Sequence, residues 1–353
     1  MTGASGDVAP EMRPARRILP ASPAAIARAA DELIAGRLVA FPTETVYGLG
    51  ADAANPDAVA KIYRLKGRPA DHPLIVHVRD SEAARRWAVW SDEAERLSRA
   101  FWPGPLTLIL ERLPSACAAA CGGQPTIGIR APAHPVSLRL LEAFAERGGS
   151  AIAAPSANRF GRISPTRAQH VQDDLGADSP LILDGGDCDV GLESTIVDLS
   201  RAQPALLRPG GLSRVAIEQV LGRSLLAPDA AAPRVSGALA AHYAPRTLLE
   251  LVSAADLDAR LASLTLAGQR TAVWSRAKPH ANDTIWRAQA TDATVFAHQL
   301  YAVLRELDAS GVDRLLIERP PDDEAWRAIS DRLGRAAVGS GSEEAGDDVR
   351  QAR

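Results

Sequence analysis

Short apolar runs alternate with amphipathic segments along most of the chain, and Gly, Pro, Asn and Ser residues separate them. Short apolar runs predict buried strands, whereas apolar positions three and four residues apart predict helices. Ser22 and Asn55, each followed by Pro, are typical of a helix start, and Gly36 and Gly67 are typical of a helix end. Besides these two helices, the pattern predicts a helix at 134–146 and strands at 38–41, 74–78, 106–110, 126–130, 151–153, 181–184, 195–198 and 205–208.

The order of these elements predicts the fold class. Strands and helices intermix without a regular βαβ alternation, which predicts an α+β domain built on a twisted α/β sheet. After an Ala- and Pro-rich linker, strands at 248–252, 271–274 and 312–318 and helices at 255–264 and 292–308 predict a smaller, Rossmann-like α/β domain. The predicted organisation is a disordered N-terminus (1–17), a first domain (18–225), a linker (226–246), a second domain (247–338) and a disordered tail (339–353).

The composition is that of an ordinary globular protein. Of 353 residues 46% are hydrophobic, and no apolar run approaches the roughly twenty residues that span a bilayer, so no membrane contact is expected. Residues 1–16 lack the apolar core of a secretory signal, and three cysteines without metal-ligand spacing fit a reducing compartment, so a cytoplasmic location is expected. A net charge of −3 gives no bulk attraction to nucleic acid, and any phosphate site must be local.

Lysine is rare in this chain, which makes its placement informative. Three lysines accompany thirty-seven arginines, and Lys66 ends a predicted helix beside Arg68, in a loop that also contains Gly67 and Pro69. A compact ammonium beside a planar guanidinium suits a polyphosphate better than a single carboxylate, so an anionic, nucleotide-like substrate is one interpretation. The alternative is a solvated helix end, where basic residues offset the negative end of the helix dipole.

Polar side chains also collect where predicted strands end. The loop after the first strand, interpreted as 41–50, contains two threonines and a glutamate at 43–45 and glycines at 48 and 50. The loop at 153–158 ends in a serine and an asparagine. Strand ends are common ligand sites in open sheets, although such side chains equally stabilise turns. Residues 164–166 are predicted to open a helix whose free amides suit phosphate; the alternative is that Ser164 is only its N-cap.

Several catalytic classes are excluded by their missing motifs. The chain has no Walker-type glycine-rich loop, no nucleophile elbow and no His-Glu-x-x-His zinc helix. The predicted chemistry is therefore the positioning and charge neutralisation of two substrates, without a covalent protein nucleophile.

Six segments, in one order over about two hundred residues, together resemble the L-threonylcarbamoyladenylate synthases, the YrdC-like family. The resemblance spans roughly residues 18–222, and the following domain resembles the C-terminal extension of two-domain members. It implies a twisted sheet with helices around a large, electropositive cavity. The segments are Pro-Thr-Glu-Thr-Val-Tyr-Gly-Leu-Gly, Lys-Gly-Arg-Pro followed by Pro-Leu-Ile-Val-His-Val, Phe-Trp-Pro-Gly-Pro-Leu-Thr, Ala-Pro-Ser-Ala-Asn, Glu-Ser-Thr-Ile-Val-Asp and Leu-Arg-Pro-Gly-Gly.

The resemblance implies a nucleotidyltransferase reaction. L-threonine, bicarbonate or carbon dioxide, and ATP with its Mg²⁺ give threonylcarbamoyl-AMP and pyrophosphate. A downstream tRNA threonylcarbamoyl transferase then moves the threonylcarbamoyl group onto an adenosine of tRNA. These substrates and that transferase are the expected partners, weak RNA binding is a further expectation, and no metal ligand is expected among the protein side chains.

The resemblance also implies site residues. Lys66 and Arg68 would be catalytic, contacting the nucleotide phosphates or shaping their pocket. Arg130 would hold the threonine carboxylate through two N–H groups. The further ATP-contacting positions are His72, Thr126, Ser156, Asn158, Ser164, Arg208 and Tyr243, the last within a lid, and the threonine-contacting positions are Thr45, His77, Arg130, Ala154 and Ser194.

Two departures and two alternative functions accompany this interpretation. His72 stands where the family commonly has asparagine, and the linker contains Val-Ser-Gly-Ala at 235–238 where many relatives have Ser-Pro-Gly-Met. One alternative is an RNA-binding or ribosome-associated module without catalysis, which the absence of net positive charge disfavours. The other is a different carbamoyl-adenylate-forming enzyme, similar to the YrdC-like part of hydrogenase-maturation carbamoyltransferases, whose acylphosphatase and zinc-finger segments this sequence lacks.

Overall fold

A mixed, twisted sheet organises the first part of the computed structural model, which describes residues 17–280 and 284–341. Its strands are β1 (Ile18–Pro20), β2 (Val39–Phe41), β3 (Gly48–Asp52), β4 (Ile75–His77), β5 (Leu106–Glu111), β6 (Thr126–Arg130), β7 (Ile152–Ala153), β8 (Leu181–Asp184), β9 (Thr195–Asp198) and β10 (Ala205–Arg208). They lie in the order β1-β8-β2-β3-β7-β4-β6-β5-β9-β10.

Helices of the same part pack against this sheet, and several begin as the sequence predicts. The hydroxyl of Ser22 accepts the Ala25 amide at 3.2 Å at the first helix start, and Gly67 ends the second helix in the left-handed conformation. The helices are α1 (Pro23–Ile34), α2 (Pro56–Lys66), α3 (Ser81–Ala84), α4 (Asp92–Phe101), α5 (Pro135–Glu146), α6 (Ala168–Leu175) and α7 (Arg214–Leu221).

The second part contains a four-stranded parallel sheet with helices on both faces. Its strands are β11 (Leu248–Val252), β12 (Thr271–Ser275), β13 (Ile285–Ala288) and β14 (Arg314–Glu318), in the order β11-β14-β12-β13. Residues alternate between the two faces of a strand. Leu316 accordingly packs with α8 (Leu257–Leu266), whereas its neighbours in β14 belong to the core formed with α9 (Ala293–Asp308) and α10 (Arg327–Ser340).

The α9–α10 side of the second part lies directly against loops of the first. Val46, Ile163 and Leu192, all from loops of the first part, share one buried apolar core with α9 and α10. The linker contributes Tyr243 to the same core. The two parts are therefore packed together at the loops in which sequence analysis placed the site.

Two local predictions are wrong. Residues 48–50, interpreted as loop, form part of β3, where glycine permits close approach: a Cβ on Gly50 would lie 2.7 Å from Phe41 Cε1. The helix predicted to open at Ser164 begins instead at Ala168, so Ser164 is not its N-cap. The reason is tertiary, because the Pro165 carbonyl accepts the backbone amide of Tyr47 and holds this segment against the β2–β3 loop.

The predicted disordered ends lie mostly outside the described residues. Helix α10 continues to Ser340, two residues into the predicted tail, and Arg17 forms a backbone hydrogen bond with Ile182. Residues 1–16 and 342–353 are outside the described part of the chain. Within residues 17–280 and 284–341, no helix has the length and apolar character needed to cross a membrane.

Candidate active site

Residues predicted to contact threonine meet around one cavity beside β4 and β6. These two strands are parallel, with His77 directly opposite Arg130, so strand register alone brings the two side chains together. Thr45, His77, Arg130, Ala154 and Ser194, the complete predicted threonine set, line the cavity. Three of the predicted ATP-contacting residues, Ser156, Arg208 and Tyr243, line it as well.

Arg130 is fixed in the cavity wall by the β2–β3 loop. Its Nη1 donates to Thr45 Oγ1 at 2.9 Å, and its Nη2 lies 2.7 Å from Glu44 Oε1. Both members of this ion pair are buried. The contact lacks hydrogen-bond geometry, so within the described residues Arg130 Nη2 and Glu44 Oε1 have no hydrogen-bond partner.

His77 is buried and uncharged beside this pair. Burial, and then the Arg130 guanidinium, lower the pKa of His77 to about 3. The ring therefore stays neutral and adds no charge to the cavity. Its Nδ1 also has no hydrogen-bond partner in the described part of the chain, so His77 is a third polar group directed to the same small space.

The buried histidines predict a pH-dependent stability. The pKa values of His77 and His242 are lowered to about 3 and that of His170 to about 4, chiefly by burial, against 6.5 for an ordinary imidazole. Below pH 6.5 the unfolded chain binds protons that the folded chain does not, so the free energy of unfolding should fall as pH decreases. The slope should approach about 1.4 kcal/mol per pH unit for each fully buried histidine.

Denaturant titrations between about pH 7.5 and 4.5 measure this slope, in a window above the ordinary pKa of most carboxylates. Replacing His77 by glutamine should remove the contribution of one histidine. An unchanged slope in that variant would contradict the assignment of His77 as a buried, neutral ring.

Lys66 holds the loop that contains Ser156 and Asn158. Its Nζ is buried and donates to the carbonyl oxygens of Ser156 at 2.6 Å and of Asn158 at 2.5 Å. Burial, and then the neighbouring Arg68, lower the pKa of Lys66 well below its ordinary value. In its protonated form, which an anionic ligand would favour, Lys66 has a third N–H group beyond the two described hydrogen bonds. The structure thus brings together the predicted Lys66 and Ser-Ala-Asn segments, and the phosphate contact stays a prediction.

Arg68 connects the end of α2 with the linker. Its Nη2 donates to the Pro73 carbonyl at 2.9 Å and to Ser236 Oγ at 3.5 Å, and its Nε donates to the His72 carbonyl at 3.4 Å. The guanidinium carbon lies 5.5 Å from the centre of the Phe160 ring, a cation–π contact. Burial lowers the pKa of Arg68 to about 10, which still leaves a cation at neutral pH.

His72 and Thr126 lie at the edge of the site. The His72 ring meets the Phe160 ring edge-on at 5.4 Å, and burial, followed by Arg68, lowers its pKa. Thr126 begins β6 and lines a second small space next to the cavity, together with Ser236 of the linker. The expected contacts of both residues with ATP remain predictions.

Arg208 holds two segments of the cavity wall. Its Nε and Nη2 donate to the Ser194 carbonyl at 3.2 and 2.9 Å, and its Nη1 donates to the Ser236 carbonyl at 2.6 Å. The Ser194 hydroxyl shares a hydrogen bond of 2.8 Å with Thr107. Burial lowers the pKa of Arg208. Two predicted phosphate-binding cations, Arg68 and Arg208, thus both contact the linker at Ser236.

Tyr243 of the linker is deeply enclosed, which supports its predicted place in a lid. Its backbone is left-handed, with φ of 60°, a conformation that non-glycine residues adopt only where surrounding structure stabilises it. The ring stacks on Tyr301 at 5.7 Å, and the Arg332 guanidinium lies 5.3 Å above it. Burial raises its pKa to about 12, and its hydroxyl has no hydrogen-bond partner among the described residues.

The expected large cavity is not what this structure shows. The space between these residues is about 40 Å³, because Ser236, His242 and Tyr243 of the linker form part of its wall. Drug-sized ligands need pockets of roughly 300 Å³ or more, so ATP requires the linker to move outward. A wider cavity of about 660 Å³ lies between α6 and α9, but none of the predicted site residues lines it.

Sequence reasoning missed the acidic and C-terminal members of the site. Glu193 accepts hydrogen bonds from Ser164 Oγ at 2.6 Å and from Tyr301 and Arg332 at 2.8 Å each. Glu193 belongs to the quoted Glu-Ser-Thr-Ile-Val-Asp segment, so a local motif could have identified it. Tyr301 on α9 and Arg332 on α10 lie outside all of the quoted segments. Glu44 also had a signal, since it lies between the two threonines of its loop.

Two family models match consecutive parts of the chain. The Sua5_yciO_yrdC model, described as telomere recombination, matches residues 31–210. A second model, described as the C-terminal domain of threonylcarbamoyl-AMP synthase, matches residues 212–338. The two matches together cover every strand of the two sheets from β2 to β14.

Individual relatives match over most of their length. The threonylcarbamoyl-AMP synthase of Pyrococcus abyssi is 38% identical over 314 residues, which cover 86% of this chain and 91% of the relative. That of Bacillus subtilis is 39% identical over 326 residues, covering 89% and 93%. The crystal structure of P. abyssi Sua5 complexed with L-threonine is similar at a TM-score of 0.82 and 36% identity, covering 89% of this chain and 94% of that one.

Proposed function

The chain belongs to the Sua5/YciO/YrdC family, and from this premise we propose that it forms threonylcarbamoyl-AMP and pyrophosphate from L-threonine, bicarbonate and ATP. It is then an enzyme that transfers an AMP group, a nucleotidyltransferase. Its product would serve threonylcarbamoylation of tRNA.

The Glu44–Arg130 pair is the observation that best supports an amino-acid substrate. Arg130 lines the cavity, and its Nη2 forms a buried ion pair with Glu44 Oε1 at 2.7 Å, a contact without hydrogen-bond geometry. A zwitterion carries the complementary groups, since its carboxylate accepts from Arg130 and its amine can donate to Glu44. Thr45, His77 and Ser194 are small or neutral, which suits a short polar side chain such as that of threonine.

The chemistry follows from this placement in two steps. Bicarbonate supplies carbon dioxide by dehydration, and the neutral threonine amine adds to it: an N–C bond forms, one C–O π bond breaks, and the amine proton passes to water, giving a carbamate. A carbamate oxygen then attacks the α-phosphorus of ATP, the bond to the β-phosphate oxygen breaks, and pyrophosphate leaves. Lys66, Arg68 and Arg208 supply the cations that stabilise negative charge on the phosphates during this step.

Mg²⁺ is proposed to enter with ATP as part of the substrate. Glu193, which lines the cavity, is paired with Arg332, and Glu44 is paired with the cavity residue Arg130. Phosphate oxygens and water would therefore be the main ligands of the ion, an arrangement that Mg²⁺ commonly adopts. A downstream tRNA threonylcarbamoyl transferase, weak RNA binding, a cytoplasmic location and a Rossmann-like second domain also remain proposals.

Pyrophosphate release by the purified chain tests the proposed function. With Mg²⁺ and ATP present, release should require both L-threonine and bicarbonate. Release that needs neither, or none under any combination, would contradict the proposal. A salt-sensitive shift of RNA without ATP dependence would instead favour the binding-module alternative.

A further inference from the structure

A carboxylate lies in the wall of the substrate cavity, and its counter-charge comes from the other domain. Glu193 lines the cavity beside Ser194 and Arg208. Its Oε2 accepts from Arg332 Nε and from the Tyr301 hydroxyl, both at 2.8 Å. Arg332 belongs to α10 and is 1% exposed, so this ion pair is shielded from solvent.

Arg332 contacts three segments that surround the cavity. Besides Glu193, its Nη2 donates to the Pro209 carbonyl at 2.9 Å, in the loop that follows Arg208. Its guanidinium lies over the ring of Tyr243, 5.3 Å from the ring centre. A single side chain of the second domain therefore fixes a carboxylate, a backbone carbonyl and the aromatic ring of the linker.

Arg208, the arginine of the cavity wall that is nearer to Glu193 in sequence, does not hold the Glu193 carboxylate. Within the described hydrogen bonds, Arg208 donates to the carbonyls of Ser194 and Ser236 and to the Ser194 hydroxyl, and not to the Glu193 carboxylate. An unpaired carboxylate that faces a polyphosphate would repel the phosphates. Removing the partner of a buried carboxylate also strongly destabilises the protein. The hydrogen-bonded counter-charge of Glu193 therefore comes from the second domain.

We propose that Arg332 is a positioning residue for ATP: it neutralises Glu193 and holds that carboxylate away from the phosphates. This inference rests on the proposed function. Attachment of the second domain does not by itself require the ion pair, since Val46, Ile163 and Leu192 already share an apolar core with α9 and α10. The role of Arg332 is therefore separable from docking.

The test compares Arg332→Gln with the double variant Glu193→Gln/Arg332→Gln in the full chain. In Arg332→Gln, the KM for ATP should rise at least about tenfold, with a smaller change in the KM for threonine, because the exposed carboxylate repels phosphate. In the double variant, which has no unpaired carboxylate, the KM for ATP should return to within about threefold of the wild-type value. Arg327→Gln, at the exposed start of α10, is the matched control and should leave the KM unchanged.

The outcomes separate this inference from the proposed function. Wild-type release that does not depend on threonine and bicarbonate defeats the proposed function. A folded Arg332→Gln variant with the wild-type KM for ATP, or a double variant no better than Arg332→Gln, shows that Arg332 only docks the domains and overturns the inference. If Arg332→Gln fails to fold, the double variant decides: folding with a near-normal KM supports the inference, and misfolding overturns it.

Discussion

Replacing Lys66 by alanine is expected to lower the turnover of pyrophosphate release by about 100-fold or more, equivalent to roughly 2.7 kcal/mol of transition-state stabilisation. Two losses add up in this variant. The carbonyls of Ser156 and Asn158 lose their common donor, and the phosphates lose a cation. Because each unpaired buried carbonyl costs about 1–3 kcal/mol, stability should fall measurably while the chain remains folded. Steady-state kinetics and a denaturant titration on the same preparation measure both effects.

Lys61 provides a matched control on the same helix. Its Nζ also donates to a backbone carbonyl, that of Gly36 at 2.6 Å, but outside the site. Lys61→Ala should therefore lose up to about 1 kcal/mol of stability and keep its activity. Lys66→Met retains the aliphatic stem without the charge and should be as inactive as Lys66→Ala. Normal turnover in a folded Lys66→Ala variant would refute the proposed role of this ammonium.

Gly237→Ala is expected to lower turnover by about 30-fold or more. The substitution should destabilise the enclosed conformation of the linker by about 2 kcal/mol, which corresponds to such a factor. Gly237 has φ of +79°, and a Cβ there would lie 2.2 Å from the Tyr243 hydroxyl and 3.0 Å from Arg208 Nη1. The Tyr243 ring cannot move aside easily, because it packs between Tyr301 and Arg332. The linker should then fail to adopt the enclosed conformation seen here, and kcat should fall.

Gly268→Ala separates the effect of the contact from that of backbone strain. Gly268 has a nearly identical φ of +72°, but no atom lies within 4 Å of the position of its Cβ. This variant should lose about 1 kcal/mol of stability from the left-handed backbone alone and keep full activity. Equal activity losses in the two variants would attribute the Gly237 effect to strain and contradict a requirement for the enclosed linker.

The sequence determined the elements whose signals are local. The strands at 126–130, 181–184, 195–198, 205–208 and 248–252 have the predicted bounds, because a buried strand is a continuous apolar run between turn residues. Helix α2 begins and ends where its Asn-Pro and Gly signals lie, which is why Lys66 was correctly placed at a helix end. Motif order also named residues that line one cavity, although six of the predicted ATP-contacting residues do not line it. Those that line it are Thr45, His77, Arg130, Ala154, Ser156, Ser194, Arg208 and Tyr243.

Other parts of the fold were not predicted, although α7 has a capping Ser213 at its start and a left-handed Gly222 at its end. The edge strands β1 and β13 and the helices α7 and α10 were not predicted. The glycines at 48–50 predicted a loop, but Gly50 in fact permits close approach of Phe41 within the sheet. Ser164 resembled an N-cap, yet its hydroxyl donates to Glu193, 29 residues away. At Gly50 and at Ser164, a long-range contact overrode the local preference of the sequence.

What the sequence determined alone was the chemistry of each loop: which hydroxyls, amides and cations occur at strand and helix ends. Only the tertiary structure decided which of these groups are already paired. The bond between Arg332 and Glu193 spans 139 residues, and that between Arg130 and Thr45 spans 85. Such pairs depend on how two sheets and a linker pack together, and packing leaves no periodic trace in the chain. The charge state of the site is therefore a property of the fold.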